Sequence, residues 1–148
     1  MQSECGVRKT MEYRDLLAEA KAARENSYCP YSGFAVGAAL LTKDGSVYRG
    51  CNVENASYGA TNCAERTALF AAVADGRKSG DFEAIAIAGG PKNGALIPCP
   101  PCGICRQVLS EFVDPADFRV LWVKEETDDG FNWEEHSLAE LFASAFAL

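Results

Sequence analysis

The cysteines of this 148-residue chain are the residues whose number and spacing most directly suggest chemistry. They are Cys5, Cys29, Cys51, Cys63, Cys99, Cys102 and Cys105. Seven is an odd number, three of the seven fall within residues 99–105, and no secretory signal is visible. In that context clustered cysteines more often bind a metal or take part in catalysis than form disulfides. We therefore interpret the cluster as a metal site or a reactive site.

Cys63 and the pair Cys102 and Cys105 lie at the starts of two predicted helices. The N-terminus of a helix carries partial positive charge and free N–H groups, which favour a thiolate, the form that binds zinc. Residues three apart share a helix face, so Cys102 and Cys105 can approach one ion. Three thiolates leave a fourth zinc position open for water, and the carboxylate of Glu65 could move protons. The pattern predicts a catalytic zinc ion.

The spacing of Cys63 and Glu65 restricts how they could meet at such an ion. They lie roughly 200° apart around a helix axis, so they could converge only beyond the end of the helix. Three thiolates also outweigh the charge of a divalent ion, and a nearby cation would restore the acidity of bound water. Arg66 and Arg106 are the candidates because each adjoins a motif residue. A histidine ligand is not expected, because the only histidine, His136, lies in an acidic segment.

Cys99 leaves an alternative open, because it forms a second C-x-x-C spacing with Cys102. Pro100 and Pro101 stiffen this stretch and hold it extended, which should keep Cys99 outside the turn that presents Cys102 and Cys105. We assign Cys99 no ligand role. If it did bind zinc, the fourth position would be closed and the site would be structural.

Apolar spacing and turn signals predict helices and strands in alternation. Predicted helices cover residues 11–25, residues 63–75, the segment after Pro101 and a last segment from residue 138. The expected N-caps are Thr10 for the first helix, Asn62 or Thr61 for the second and Ser137 for the last. Predicted strands cover 35–41, 47–53, 84–88 and 119–123, with a short edge strand at 131–133.

The order of these elements predicts the fold class. The first two strands form an antiparallel hairpin, and the later strands alternate with helices, which suggests parallel crossovers. A mixed β-sheet covered by helices, class α/β, fits best. The length is that of one domain, which we expect to span residues 1–148.

Charge and hydropathy exclude several classes of partner. The formal net charge is -7, with 11 acidic and 12 basic residues before position 111 and 10 acidic and 2 basic residues after position 110. Basic residues nowhere form more than a pair, so a nucleic-acid partner is disfavoured. No apolar run approaches 18 residues and no signal peptide is visible, so we expect a cytoplasmic protein without a membrane partner.

Several motifs together resemble one known family. The segments are CAER at 63–66, PCGICRQ at 101–107, YCPYSGFAVGAAL at 28–40 and GCNVENASYG at 50–59. They are similar to the zinc-dependent cytidine deaminases, in the small form whose zinc ligands are all cysteines. The resemblance covers roughly residues 26–124, with a weaker echo at 138–146.

The resemblance implies a role for each matching residue. Cys63, Cys102 and Cys105 would hold one Zn²⁺ per subunit, Glu65 would shuttle protons, and Arg66 would hydrogen-bond to the ligand sulfurs. The substrate-binding set would be Phe34, which packs on the base, Asn52 and Glu54, which hold the ribose hydroxyls, and Ala56, Tyr58, Ala64 and Phe146. Of these, Ala56, Tyr58 and Phe146 match positions that reach a neighbouring subunit's site in homotetramers. The implied fold is a three-layer α-β-α sandwich with a mixed sheet.

The implied activity is hydrolytic deamination of cytidine and 2'-deoxycytidine in pyrimidine salvage. Three alternatives are weaker. A related cytosine nucleoside such as blasticidin S could be the substrate, because a protein could share the zinc motifs. Deamination within a nucleic acid would need a basic groove that the sequence lacks. A non-enzymatic structural-zinc module would need Cys99 as the fourth ligand.

Overall fold

The computed structural model describes residues 11–148, which contain four α-helices and five strands. The helices are α1 (Tyr13–Ala23), α2 (Ala64–Ala74), α3 (Gly103–Ser110) and α4 (Leu138–Leu141). The strands are β1 (Phe34–Thr42), β2 (Val47–Cys51), β3 (Phe82–Pro91), β4 (Arg119–Thr127) and β5 (Gly130–Ser137). Short 3-10 turns cover Arg24–Asn26 and Tyr58–Ala60. None of the helices within this range has the length and apolar character needed to cross a bilayer.

The strands form one mixed sheet in the order β2-β1-β3-β4-β5. The β1–β2 hairpin is antiparallel, and β1 also pairs antiparallel with β3 along almost its whole length. β3 and β4 are parallel and are connected through α3, whereas β4 and β5 form a second antiparallel hairpin. The predicted mixed sheet of class α/β is therefore confirmed.

Helices cover both faces of the sheet, which confirms the three-layer α-β-α arrangement. Alternate residues of β1 face opposite sides, because side chains alternate along a strand. Ala38 and Leu40 pack with residues of α2 and α3, whereas Ala39 and Leu41 pack with residues of α1. Because α2 and α3 both pack with Ala38 and Leu40, the two helices lie on the same face of the sheet.

A glycine sets how closely α2 lies on the sheet. A Cβ atom added at Gly50 in β2 would lie 2.4 Å from the carbonyl oxygen of Ala64 and 2.4 Å from the amide nitrogen of Ala68. Real Cβ contacts are essentially never that short. Only glycine therefore permits this approach, which fixes the beginning of α2 against β2.

Two predicted helix caps differ from the structure. The N-cap of α2 is Cys63, not Asn62 or Thr61. Those side chains are used elsewhere: Asn62 donates to the hydroxyl of Thr67, and the hydroxyl of Thr61 accepts from the amide of Asn55. The first helix is preceded by Glu12 as its N-cap, and the predicted cap Thr10 lies outside the described residues, as does Cys5.

The predicted start of the last helix is confirmed. Ser137 caps α4, because its hydroxyl accepts a hydrogen bond from the amide of Glu140 at 3.2 Å. The helix is a single turn that ends at Leu141, although Phe142 still packs against the core. The last strand is longer than predicted, since β5 covers Gly130–Ser137.

Candidate metal centre and active site

Three thiols from two helix starts converge at one end of the molecule. Cys63 is the residue before α2, Cys102 is the residue before α3, and Cys105 lies in the first turn of α3. Their sulfur atoms all lie within 4.8 Å of one another, and the Sγ atoms of Cys63 and Cys102 are 3.7 Å apart. Within residues 11–148 these are the three metal-ligating side chains that the fold brings together in this way.

The spacing and the chemistry of the cluster both fit zinc. In a tetrahedral site with Zn–S distances of about 2.3 Å, two sulfurs lie about 3.8 Å apart. The 3.7 Å separation of the Cys63 and Cys102 sulfurs matches that value. Soft thiolate ligands select zinc over the hard cations, which prefer oxygen. An ion could thus be bound here with little rearrangement of the two helices.

The cluster favours a thiolate at Cys63 even without an ion. A hydrogen bond from the Cys105 thiol, helped by those from Arg66 and Cys102, lowers the pKa of Cys63 to about 5, although burial opposes the shift. The same hydrogen bond, together with burial, raises the pKa of Cys105. One negative charge is therefore held on Cys63, where a divalent cation would be attracted.

Arg66 and Arg106 take different positions around the cluster. Nη2 of Arg66 donates a hydrogen bond to Cys63 Sγ at 3.2 Å, while its Nε is buried without a partner among the described residues. Arg106 instead donates to the backbone oxygens of Pro101 and Leu141. Only Arg66 therefore supplies a cation that contacts a sulfur, whereas Arg106 holds the segment that leads into Cys102.

Glu65 lies beside the thiols and is almost fully buried, with 4% of its surface exposed. Burial is the largest cause that raises its pKa, and the charge of Cys63 adds to it, although a hydrogen bond with Cys105 opposes the rise. Cys63 and Glu65 can both approach the cluster because Cys63 is the cap, outside the helix proper. The end-on arrangement that their spacing requires is the one observed.

Two pockets open next to this cluster and meet at Thr61. The inner pocket, of about 160 Å³, is lined by Val36, Asn52, Thr61, Cys63, Ala64, Glu65, Cys99, Pro100 and Cys102. The outer pocket, of about 350 Å³, is lined by Tyr31, Ser32, Glu54, Tyr58 and Thr61. Glu65, Cys63 and Cys102 therefore line the inner pocket, which shares Thr61 with the outer pocket that contains Glu54.

Several known proteins are similar to this chain in sequence and in fold. The family model described as the cytidine and deoxycytidylate deaminase zinc-binding region matches residues 10–118. A cytidine deaminase from Halalkalibacterium halodurans is 52% identical over 136 residues, 92% of this chain and 95% of the relative. A cytidine deaminase from Sporosarcina psychrophila is 54% identical over 137 residues, 93% of each chain. The chain belongs to this deaminase family.

Solved structures of family members support the same assignment. The crystal structure of a cytidine deaminase from Burkholderia pseudomallei matches with a TM-score of 0.78 and 48% identity, over 92% of this chain and 100% of that one. The family region is a zinc-binding region and includes all three clustered cysteines. The chain is accordingly a zinc-dependent deaminase, a hydrolase, and zinc is the metal that the cluster fits.

The substrate-binding residues predicted from the deaminase motifs do not all lie in the two pockets. Asn52 and Ala64 line the inner pocket, and Glu54 and Tyr58 line the outer one. Three others line neither pocket. They are Phe34, which packs against the core beside Gly89, Ala56, which is exposed, and Phe146, which is 69% exposed near the C-terminus.

Cys99 lines the inner pocket but does not join the thiol cluster. It lies against β3, where a Cβ atom added at Gly89 would be 2.8 Å from Cys99 Sγ. Burial raises the pKa of Cys99 to about 12, so the group stays a neutral thiol. This half-buried neutral thiol, held against the strand, forms a wall of the pocket.

The sequence did not reveal several lining residues. Thr61 lines both pockets, whereas the sequence suggests it only as a helix cap. Val36 lies in a predicted strand and Pro100 in the stiff segment before Cys102, and neither feature predicts a pocket residue. Tyr31 and Ser32 lie inside the YCPYS motif, which could have pointed to them. Their backbone amides donate to Glu54 Oε1 at 3.0 and 3.1 Å, a contact between distant segments that no spacing predicts.

Proposed function

We propose that this chain, in one domain that spans residues 1–148, deaminates cytidine and 2'-deoxycytidine to uridine and 2'-deoxyuridine with release of ammonia. The observation that carries the proposal is the buried carboxyl group of Glu65, which lines a pocket together with two of three convergent thiols. Relatives at 52% and 54% identity over most of the chain carry the name cytidine deaminase.

Cys63, Cys102 and Cys105 would hold the zinc ion, and Glu65 would move the protons. Bound zinc supplies Lewis acidity, which makes water a nucleophile near neutral pH. The Glu65 carboxylate takes a proton from the water that adds to C4 of the cytosine ring, and passes protons to the ring nitrogen and to the departing amino group. Water is consumed and ammonia leaves, so atoms and charge balance. Arg66 steadies the Cys63 thiolate through its hydrogen bond to Sγ.

The two pockets suit the two halves of a nucleoside. The inner pocket is small and contains Ala64, which leaves space for a flat base next to Glu65. The outer pocket presents the carboxylate of Glu54, whose pKa is lowered by hydrogen bonds from Ser32 and Tyr31. A carboxylate has about four acceptor sites, so Glu54 retains capacity for a sugar hydroxyl. A free base without the sugar would leave these groups unpaired, which penalises it.

The outer pocket is broad, and we propose that a second copy of the chain closes it in a cytoplasmic homotetramer. Tyr58 is 78% exposed and stands edge-on to Tyr31, with 6.1 Å between ring centroids. Phe146 is also largely exposed, yet its backbone is held by Gln107. Exposed aromatic side chains on anchored backbone are typical of subunit interfaces. Sedimentation of the purified protein should therefore give a mass of four chains, and a monomer that is fully active would contradict it.

The direct test is the ultraviolet absorbance of cytidine mixed with the zinc-loaded protein. Conversion to uridine is expected for the native chain, whereas Glu65→Gln should retain one zinc per chain and lose about 10²- to 10⁴-fold in kcat, the usual contribution of a general acid-base group. A native protein that holds one zinc per chain but leaves cytidine and 2'-deoxycytidine unchanged would refute the proposed activity. A Glu65→Gln enzyme with native kcat would refute the role of Glu65.

A chelator separates this enzyme from a structural-zinc module. A domain of about 150 residues buries roughly 68–70% of its unfolded surface, so it can remain folded without metal. We expect chelation to abolish turnover while the circular dichroism spectrum and a cooperative thermal transition remain. Unfolding on chelation would favour the structural module.

A further inference from the structure

Asn52 follows the end of β2, and its side-chain amide is held by the backbone of β1. The Oδ1 atom of Asn52 accepts a hydrogen bond from the amide of Val36 at 2.9 Å, and its Nδ2 atom donates to the carbonyl oxygen of Phe34 at 2.8 Å. A backbone amide can only donate and a carbonyl can only accept, so these two contacts determine which end of the Asn52 amide is oxygen. The orientation of the Asn52 amide is therefore fixed by its partners.

Ser27 completes the environment of that oxygen. The Ser27 hydroxyl donates a hydrogen bond to Asn52 Oδ1. A carbonyl oxygen has two lone pairs, and the amide of Val36 and the hydroxyl of Ser27 occupy both. The second N–H of the Asn52 side chain has no partner among residues 11–148, and Asn52 lines the inner pocket. Asn52 can therefore meet a ligand only as a donor.

We propose that Ser27 is a positioning residue for sugar recognition, because its hydroxyl saturates Asn52 Oδ1 and leaves the amide to present a single N–H to the substrate. The inference rests on the proposed nucleoside deaminase activity. It adds a residue that is not among the lining residues of either pocket and that acts through Asn52.

An Asn52 side chain that can only donate complements Glu54, whose carboxylate can only accept hydrogen bonds. A hydroxyl group donates one hydrogen bond and accepts others. Glu54 is an acceptor in the adjoining pocket and Asn52 is a donor, so the two side chains offer sugar hydroxyls complementary hydrogen bonds. Without the Ser27 hydroxyl, Oδ1 would have an open lone pair, and water or the substrate hydroxyl could compete for it. The Asn52 amide would then be held by two contacts and not three.

The chain should fold without this hydroxyl. Ser27 follows the 3-10 turn Arg24–Asn26, and its own amide donates to the carbonyl of Arg24 at 3.1 Å. The next amide, of Tyr28, donates to the backbone oxygen of Asn52 at 3.0 Å. Both contacts belong to the backbone and persist when the side chain is shortened. Ser27→Ala therefore removes one hydroxyl from a segment that keeps its hydrogen bonds.

The test compares Ser27→Ala with native enzyme on cytidine and on the three analogues that lack the 2', 3' or 5' hydroxyl, each as a substrate or, where turnover is slow, as a competitive inhibitor of cytidine deamination. For cytidine we expect kcat/KM to fall about threefold to tenfold, mostly through KM, the usual effect of one hydrogen bond. For the one analogue that lacks the hydroxyl bound by Asn52, the loss should shrink to less than about twofold. Ser27→Thr, which retains a hydroxyl, should be close to native.

A merely structural role gives a different pattern. Equal losses for cytidine and all three analogues, or no loss for cytidine, would overturn the proposal. Ser79→Ala is the matched control, because among residues 11–148 the Ser79 hydroxyl hydrogen-bonds only to the backbone oxygen of Glu111, at 3.4 Å, and lines neither pocket. Native enzyme without activity on cytidine would refute the proposed function itself, and that outcome is visible before any variant is compared.

Discussion

Gly50→Ala tests whether the catalytic geometry depends on how closely α2 lies on the sheet. The added methyl carbon would lie 2.4 Å from the oxygen of Ala64, 2.4 Å from the nitrogen of Ala68 and 3.0 Å from its Cα atom. All three are backbone atoms, so no side chain can rotate away. An ordinary contact needs about 3.4–4 Å, so α2 must retreat from β2 by roughly 1 Å.

That displacement should cost both stability and activity. Insertion of a methyl group into a well-packed core typically destabilises a protein by about 1–3 kcal/mol. The same helix begins immediately after Cys63, one of the clustered thiols, and carries Glu65 in its first turn. A misplacement of about 1 Å can cost on the order of 10²-fold in rate. We therefore expect Gly50→Ala to lose about 10²-fold in kcat/KM while it remains folded at low temperature.

Thermal unfolding and the absorbance assay with cytidine measure the two effects. Gly103→Ala is the matched control: a Cβ atom at Gly103 meets nothing within 4 Å, although this position lies between two of the clustered cysteines. The control should be as stable as the native chain or more so, because alanine favours a helix by about 1 kcal/mol over glycine. If Gly50→Ala keeps its thermal midpoint and stays within twofold of native kcat/KM, the close approach does not control the site.

Three other variants test single contacts. Arg66→Ala should weaken zinc affinity about 10- to 100-fold in competition with a chelator, because the hydrogen bond from Arg66 Nη2 to Cys63 Sγ is lost; unchanged affinity would contradict it. Cys99→Ala should keep one zinc per chain by metal analysis, whereas Cys63→Ala should not; a metal-free Cys99→Ala would make Cys99 a ligand. Gln107→Ala should speed amide hydrogen exchange at Phe146 by about tenfold, because two hydrogen bonds that hold its backbone are removed; native protection would show that other contacts hold the segment.

The thiol cluster could be predicted from the sequence because each of its cysteines lies at or near the start of a helix that the local sequence predicts. Cys63 and Cys102 each precede a helix, and Cys105 follows Cys102 by one turn, so residue type and helix position together specify the ligand set. The convergence of the two helix starts could not be derived from spacing. It depends on the parallel β3–β4 connection through α3, which places α3 beside α2 on one face of the sheet.

The extent of β5 shows why the rest could not be predicted. Its second half is Glu134, Glu135 and His136, residues that do not favour a strand on their own. Cross-strand contacts decide the outcome: Trp122 of β4 donates its indole N–H to Glu134 at 2.9 Å and stacks on His136, with 5.2 Å between ring centroids. Contacts with β4 therefore explain why β5 continues beyond the predicted strand at 131–133.

Asn52 and Glu54 illustrate the same limit within the site. Their substrate-binding role was predicted from the motif resemblance, because the residue types alone do not indicate such a role. Their orientation is set by backbone groups of Val36, Phe34 and Tyr31, which belong to a different segment of the chain. Hydrogen bonds to the backbone of distant residues leave no periodic trace in a sequence, so Ser27 could be recognised only in the folded chain.

The C-terminal segment gives a consequence for the metal end of the molecule. Two neighbouring side chains of α3 hold this segment. Arg106 binds the backbone oxygens of Pro101 and Leu141, and Gln107 binds both the amide and the carbonyl of Phe146. The same helix presents Cys105, the residue immediately before Arg106. Arg106 therefore links the C-terminal segment to the residue before Cys102, so we expect a displacement of that segment to change the position of the thiol cluster.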